Sequence, residues 1–364
     1  MGWGLVAQAT DLPWQHCSQL TQDREARLAC FDRWAAQQGA GAALTMPAHP
    51  ASPAPPPPAV KVADSLAESP RPPAERDCKN PRFSEMSRFW ELEAGSDCGT
   101  FRIRGYRPIS LAWVGSDSVN TQPASPALGH SQTEALAYTT DELRIQLSVR
   151  TKIAQGLLTG GNTDRRDSLW FGYSQQSYWQ LFNGDLSRPF RSTDHEPEFT
   201  YVYPLDTTLP GGWRLRYGGL SVVHQSNGQD LPLSRSWNRV VLMTGLENGT
   251  RYWLQARLWQ RQQEAPEDDD NPGIEDLIGR AEVAGLWNLD GKNTLGLTLR
   301  HSLRAQANGS FKLEWLRTLA DPGAAGGRNS LRLHTQLFSG FGDSLVDYNR
   351  RRTVFSVGLS LVDW

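Results

Sequence analysis

The sequence predicts an all-β fold, a transmembrane barrel of twelve antiparallel strands, on three observations. Beyond residue 100, apolar and polar residues alternate with a period of two. The alternating runs are about ten residues long, matching the ~9–11 residues that a tilted strand needs to cross a bilayer. No stretch of the 364 residues approaches the ~18 consecutive apolar residues of a spanning helix. That excludes a helical membrane protein but not a barrel, because a barrel strand turns only every second residue to lipid. A chain that is 38% hydrophobic and 21% charged is therefore compatible with one.

In chain order, residues 1–45 read as a leader remnant followed by short helices. Ala7-Gln8-Ala9 has the small-x-small pattern of a signal-peptide cleavage site, which places a mature start near Thr10. From Asp11 to about Gln38, Leu20, Leu28, Phe31 and Trp34 fall at helical spacings among charged residues. Residues 46–76 change composition abruptly: ten of the 23 prolines lie between Pro47 and Pro73, four of them consecutive at Pro55 to Pro58. Proline cannot donate to a ladder or a helix, so this stretch reads as an extended linker. Residues 77–100 read as an extension leading into a barrel over 101–364.

Within the barrel, Leu143, Ile145, Leu147, Val149, Thr151 and Ile153 alternate with Arg144, Gln146, Ser148, Arg150 and Lys152. The first set suits lipid and the second a polar lumen. Leu295 to Leu299, Leu331 to Leu337 and Phe355 to Leu361 repeat the pattern, separated by turn signals such as Asn248-Gly249, Asp290-Gly291 and Asn308-Gly309. Twelve strands are expected to start near Phe101, Leu143, Ser168, Glu196, Trp213, Ser236, Arg251, Gly279, Thr294, Ser310, Leu331 and Thr353. An even number lets an up-and-down barrel close. A large soluble β-sandwich shares the period but uses shorter strands. Trp364 is expected to serve as the terminal aromatic residue that outer-membrane barrels often carry for insertion, although its even number is out of phase with the odd-numbered set Phe355, Val357, Leu359 and Leu361.

A net charge of -2, with no basic helix or basic-aromatic strand motif, argues against nucleic acid as a partner. The four cysteines, Cys17, Cys30, Cys78 and Cys98, contain no CxxC pair, so zinc-ribbon and thioredoxin chemistry are set aside. Bridges Cys17–Cys30 and Cys78–Cys98, or four free thiols, both remain open. No GxSxG elbow, HExxH helix or P-loop is present. The acidic run from Glu264 to Asp270 lacks EF-hand spacing and reads as a solvated loop.

The informative chemistry lies between residues 220 and 239. If Leu220 to Ser226 and Ser236 to Leu242 form an antiparallel hairpin centred near Leu231, His224 faces Asn238 and Ser226 faces Ser236. Directly opposed Cβ atoms lie roughly 4.5–5.5 Å apart. Ser226, two residues from His224, shares its face. Ser, His and Asn on one patch can make a hydroxyl nucleophilic, with the imidazole taking its proton and the amide oxygen holding the tautomer. Three polar residues beside a turn can equally be no more than solvated. A polar trio among lipid-facing leucines and valines, however, is costly unless it serves a function.

The segments His224-Gln-Ser226-Asn-Gly228 and Ser234-Arg-Ser-Trp-Asn238-Arg resemble the active-site hairpin of the outer-membrane phospholipase A family. Further blocks follow in the family's order: Tyr173-Ser-Gln175, Ser177 to Gln180, Ser187 to Arg191 with Thr193 and Glu196-Pro197, Asp269 to Pro272, and Ser339 to Asn349. The resemblance implies a twelve-stranded barrel in a bacterial outer membrane that hydrolyses phospholipid acyl esters with A1 and A2 activity. It implies Ser226 as nucleophile, His224 as base, Asn238 as its orienting residue and the Gly228 amide as oxyanion donor. It also implies a calcium cofactor held by the Gln229 carbonyl, the Ser234 side chain and the partner's Ser187 carbonyl, activation by homodimerisation, and Tyr173 and His195 on the substrate side. Gln229 stands where the family commonly has Arg, and His195 where it has Tyr. The N-terminal segment would then be periplasmic. A porin or structural barrel that has lost the chemistry is the alternative reading.

Overall fold

The computed structural model describes Cys17, Leu20, residues 24–40, Cys78, Asn80 and residues 82–160, 164–319 and 331–361. The cleavage pattern at Ala7 to Ala9, the proline-rich stretch 46–76 and Trp364 lie outside the described residues. The chain divides into two units, residues 1–66 and 67–364. In the first, helix α1 (Arg24–Ala40) carries Cys30, bridged to Cys17. Leu28 on this helix is exposed.

The second unit is a closed antiparallel barrel. A short strand β1 (Arg104–Gly105) precedes twelve barrel strands: β2 (Ile109–Ser116), β3 (Asp141–Gln155), β4 (Ser168–Trp179), β5 (Phe190–Thr208), β6 (Arg214–Ser226), β7 (Ser236–Asn248), β8 (Tyr252–Arg261), β9 (Ala281–Asn288), β10 (Asn293–His301), β11 (Gly309–Thr318), β12 (Leu331–Gly340) and β13 (Arg352–Leu361). From β4 to β13 each pairs with the next, β13 returns to β2, β2 pairs with β3, and β3 pairs with β4 to close the ring. Closure leaves no unpaired edge for lipid to desolvate.

Two strand starts differ from expectation. The first barrel strand begins at Ile109 rather than Phe101, because residues 101–108 run into the barrel as an irregular segment whose only ladder is Arg104–Gly105 against Val149 and Arg150. The strand expected from Glu196 begins at Phe190: the residues that follow are Arg, Ser, Thr and Asp, polar on both faces, and so carry no apolar alternation.

The pleat sorts side chains as period two requires. Along β3, Glu142, Arg144, Ser148, Arg150 and Lys152 are buried inside, while Leu143, Ile145, Leu147, Val149 and Ile153 are more exposed. A lumen lined with charge must pair it. Arg191 donates to both Glu142 oxygens at 2.6 and 3.0 Å and to Asp347 at 2.9 Å, and Asp347 also accepts from Arg352 at 2.9 Å. Glu196 bridges Arg107 (2.5 Å) and Arg239 (2.8 Å), and Glu282 pairs with Arg300 (2.8 Å). Arg107, Glu196, Arg239, Glu282 and Arg300 line a cavity of about 330 Å³.

One mouth is sealed by the chain preceding the barrel. Helix α2 (Glu85–Trp90), capped by the Ser84 hydroxyl accepting from Ser87 N–H, inserts Met86 and Trp90 among Trp170, Val202, Tyr217 and Met243. Behind it, Glu91 pairs with Arg104 (2.6 Å) and Lys152 (2.7 Å), and Cys78 is bridged to Cys98. Both disulfides pair neighbours in sequence, so the alternative of four free thiols is not realised. The other mouth carries the two longest loops, 117–140 and 262–280, together with 180–189, 227–235, 302–308 and 341–351. A short helix α3 (Ile274–Leu277) from one of them tucks Ile274 against Trp237, Val241, Trp259, Leu345 and Tyr348.

Candidate active site

At the mouth with the long loops, β6 and β7 pair in the register expected of them, with His224 opposite Asn238 and Ser226 opposite Ser236. His224, Ser226 and Asn238 share their face with Leu220, Val222, Val240 and Leu242, all of them exposed apolar side chains. The trio therefore stands on the outer, lipid-directed surface and not in the lumen. Alternation alone explains this placement, because Gln225, Trp237 and Arg239 between them point inward. The inward face is solid: Val223, Trp237 and Val241 are buried in the cluster that α3 completes, and the Arg239 guanidinium stacks 4.1 Å above the Trp237 ring. A packed backing of this kind holds the outer side chains in place.

His224 Nδ1 and Asn238 Oδ1 are 2.9 Å apart. An amide oxygen only accepts, so Nδ1 carries the proton and Nε2 is left with its lone pair. Among the described residues no hydrogen bond joins Ser226 to His224. Bonds of this kind are often long before substrate arrives. Ser226 also lies opposite His195 of β5, and His195 Nδ1 is 2.7 Å from the Tyr173 hydroxyl. The His195 ring approaches Gly228: a Cβ added there would meet it at 3.6 Å, and φ at Gly228 is +60°, in the left-handed region that favours glycine. His195, Tyr173, Ser226 and the Gly228 backbone thus converge.

The loop after Ser226 is fastened by a residue to which the sequence assigned no role. Buried Asn227 donates through Nδ2 to the Leu233 carbonyl (2.6 Å), while its Oδ1 accepts from Arg235 N–H (2.9 Å). Arg235, fully buried, donates to the Ser234 carbonyl (2.6 Å) and to that of His130 (3.1 Å), which ties the hairpin to loop 117–140. Ser234 Oγ donates to Asp270 Oδ2 at 2.7 Å, and Asp270 is also 2.9 Å from His130 Nε2. Gln229 donates from its side chain to the Arg191 carbonyl (3.3 Å). Ser187 lies in loop 180–189, its carbonyl accepting from Trp179 Nε1 at 2.6 Å. Among the described residues no hydrogen bond joins it to Gln229 or Ser234.

The acidic run expected to be a solvated loop is only partly that. Glu264 accepts from Asn238 Nδ2 at 3.0 Å, Asp269 from Arg261 at 2.6 Å, and Asp270 from Ser234. Charge alone could not have shown this, since the partners come from other strands and loops. The spacing of Asp269-Asp-Asn-Pro272 relative to Ser234 held no signal of it either.

Three comparisons bear on this arrangement. The sequence profile of the Phospholipase A1 family matches residues 86–361. A relative named Phospholipase A1, from Escherichia coli, is 33% identical over 225 residues, which are 61% of this chain and 70% of the relative. Among solved structures, the outer membrane phospholipase A from Escherichia coli superposes with a TM-score of 0.60 at 29% identity, covering 71% of this chain and 94% of its own. The Salmonella typhi outer membrane phospholipase, solved as a dimer with bound calcium, superposes with a TM-score of 0.61 at 28% identity, covering 72% and 93%. With a profile match over most of its length and a twelve-stranded barrel of the same architecture, the chain belongs to the outer membrane phospholipase A family.

Proposed function

We propose that this protein is a calcium-dependent phospholipase of a bacterial outer membrane, cleaving acyl ester bonds of phospholipids with A1 and A2 activity and active as a homodimer. The observation that carries this reading is the His224–Asn238 hydrogen bond beside Ser226 on a lipid-directed surface. Substrate reaches such a site laterally, from the bilayer itself. Ser226 Oγ attacks the ester carbonyl while His224 Nε2 takes its proton. The same proton is then delivered to the departing alcohol, leaving an acyl-serine that water hydrolyses by the reverse exchange. The Gly228 amide serves the developing oxyanion. His195 and Tyr173 contact the substrate beside it.

Calcium suits the donors at this mouth. The Ser234 hydroxyl, the Gln229 carbonyl and the nearby Asp270 carboxylate are all oxygens, and a hard cation takes oxygen ligands. Ser234 and Gln229 would hold it together with the Ser187 carbonyl contributed by the second subunit, and a relative solved as a dimer with bound calcium supports calcium as the ion and the dimer as the assembly. When bound, the ion supplies positive charge next to the oxyanion position. A ligand set split between two chains makes activity depend on dimerisation.

The longer loops belong on the outer side and the α2 mouth, with the N-terminal segment, in the periplasm, since barrels of this kind keep short turns on the periplasmic side. The test is fatty-acid release from phospholipid–detergent micelles, with calcium and with a chelator. Calcium-dependent release that Ser226→Ala abolishes supports the reading. Absence of release from a folded, calcium-loaded dimer would favour a silent barrel.

A further inference from the structure

The orienting residue of the triad has an acceptor of its own. Asn238 turns Oδ1 to His224 at 2.9 Å and Nδ2 to Glu264 Oε1 at 3.0 Å. Glu264 sits just beyond β8, and the chain is pinned there: Gln262 N–H donates to the Asn238 carbonyl at 2.9 Å, which brings the residue two positions on alongside the Asn238 side chain. The second Glu264 oxygen lies 3.4 Å from the guanidinium of buried Arg261, itself anchored by Asp269 (2.6 Å) and Glu275 (3.3 Å). The carboxylate is thus held from behind and its inner oxygen is presented to one amide.

An asparagine is nearly symmetric in shape, and turned over it would offer His224 a donor instead of an acceptor. With a donor facing Nδ1, the imidazole would keep its proton on Nε2, and Nε2 could not then accept a proton from serine. A carboxylate only accepts, so Glu264 holds Nδ2 toward itself and leaves Oδ1 for the imidazole. Glu264 also supplies, one residue further out, the negative charge that a neutral Asn238 lacks when His224 becomes an imidazolium.

We infer that Glu264 is a positioning residue of this site, a fourth member of a Ser226–His224–Asn238–Glu264 chain that fixes the Asn238 amide and thereby the His224 tautomer. The inference rests on the triad reading given above, and its test keeps the two apart. In the calcium-saturated dimer, Glu264→Ala is expected to lower kcat about tenfold with little change in KM, since the residue touches no substrate. Glu264→Gln, whose amide oxygen can still accept from Asn238, is expected to recover most of that loss. It should also move the acid limb of kcat/KM to lower pH, because the charge favouring protonated His224 is gone while Arg261, Asp269 and Glu275 remain. Asp268→Ala, which removes an exposed carboxylate from the same loop, controls for surface charge. Heat-modifiable gel mobility checks that each barrel is folded. Unchanged kcat in Glu264→Ala, or a loss that Glu264→Gln does not repair, overturns the inference. Retained turnover in Ser226→Ala in the same assay would instead overturn the triad.

Discussion

Asn238 Oδ1 lies 2.9 Å from His224 Nδ1 across the β6–β7 pair, and the two residues are direct partners in the strand register. Their bond is therefore set by the ladder and does not depend on a loop. Losses should rank accordingly. Ser226→Ala removes the proposed nucleophile and is expected to lower kcat by at least about 10³, with His224→Ala close behind. Asn238→Ala should retain more activity, since the ring still visits the required tautomer part of the time. Steady-state kinetics on micellar phospholipid check the order, and a sulfonyl fluoride should label wild-type protein but not Ser226→Ala.

Ser234 tests the calcium assignment. On the proposed ligand set, Ser234→Ala removes one oxygen ligand and leaves Ser226 and His224 in place. The calcium concentration for half-maximal rate should rise roughly tenfold while the rate at saturating calcium stays near wild type. An unshifted calcium titration would remove Ser234 from the ligand set.

Leu147, 41% exposed in the middle of β3, faces lipid. Leu147→Arg is expected to destabilise the barrel by about 2–4 kcal/mol near the bilayer midplane. Urea unfolding in lipid vesicles measures this, and a cost below ~1 kcal/mol would place the residue elsewhere.

Asp347, in the loop between β12 and β13, is buried between Arg191 and Arg352, each at 2.9 Å. Burial alone would raise its carboxyl, but the two guanidiniums and the Ser344 hydroxyl outweigh it and hold the group below the usual carboxylate range. Asp347→Ala should cost about 3–5 kcal/mol at neutral pH, because it leaves buried guanidiniums short of a partner. The sign with pH follows from the depressed folded value. The contribution is full above the unfolded value of ~3.9 and is lost as pH falls through the lower folded one. The gap between variant and wild type in urea midpoint should therefore narrow as pH falls below about 3.9.

Much of the barrel is readable from local pattern because lipid and lumen impose opposite chemistry on alternate residues. Leu143 to Ile153 could be assigned to faces without any knowledge of their partners. The β6–β7 register is the one expected of a hairpin centred near Leu231, and the pleat then puts Leu220, Val222, Val240 and Leu242 on one side. Where alternation stops, so does the reading. The polar start of β5 at Phe190 and the irregular approach to β2 carry no two-residue period, and both strand starts were misplaced.

By itself, then, the sequence determined the all-β class, the twelve strands, the outward face of the trio and the pairing of His224 with Asn238. All of these are properties of one strand or of one hairpin. Only the tertiary structure decided what holds the trio from outside it: Glu264 on Asn238, Asp270 on Ser234, Arg235 on loop 117–140, and α2 sealing the opposite mouth. Those contacts join segments from 26 to more than 100 residues apart. They form between polar or isolated residues whose spacing has no period, so no local pattern announces them, and each appears only once strands, loops and the preceding helix are packed together.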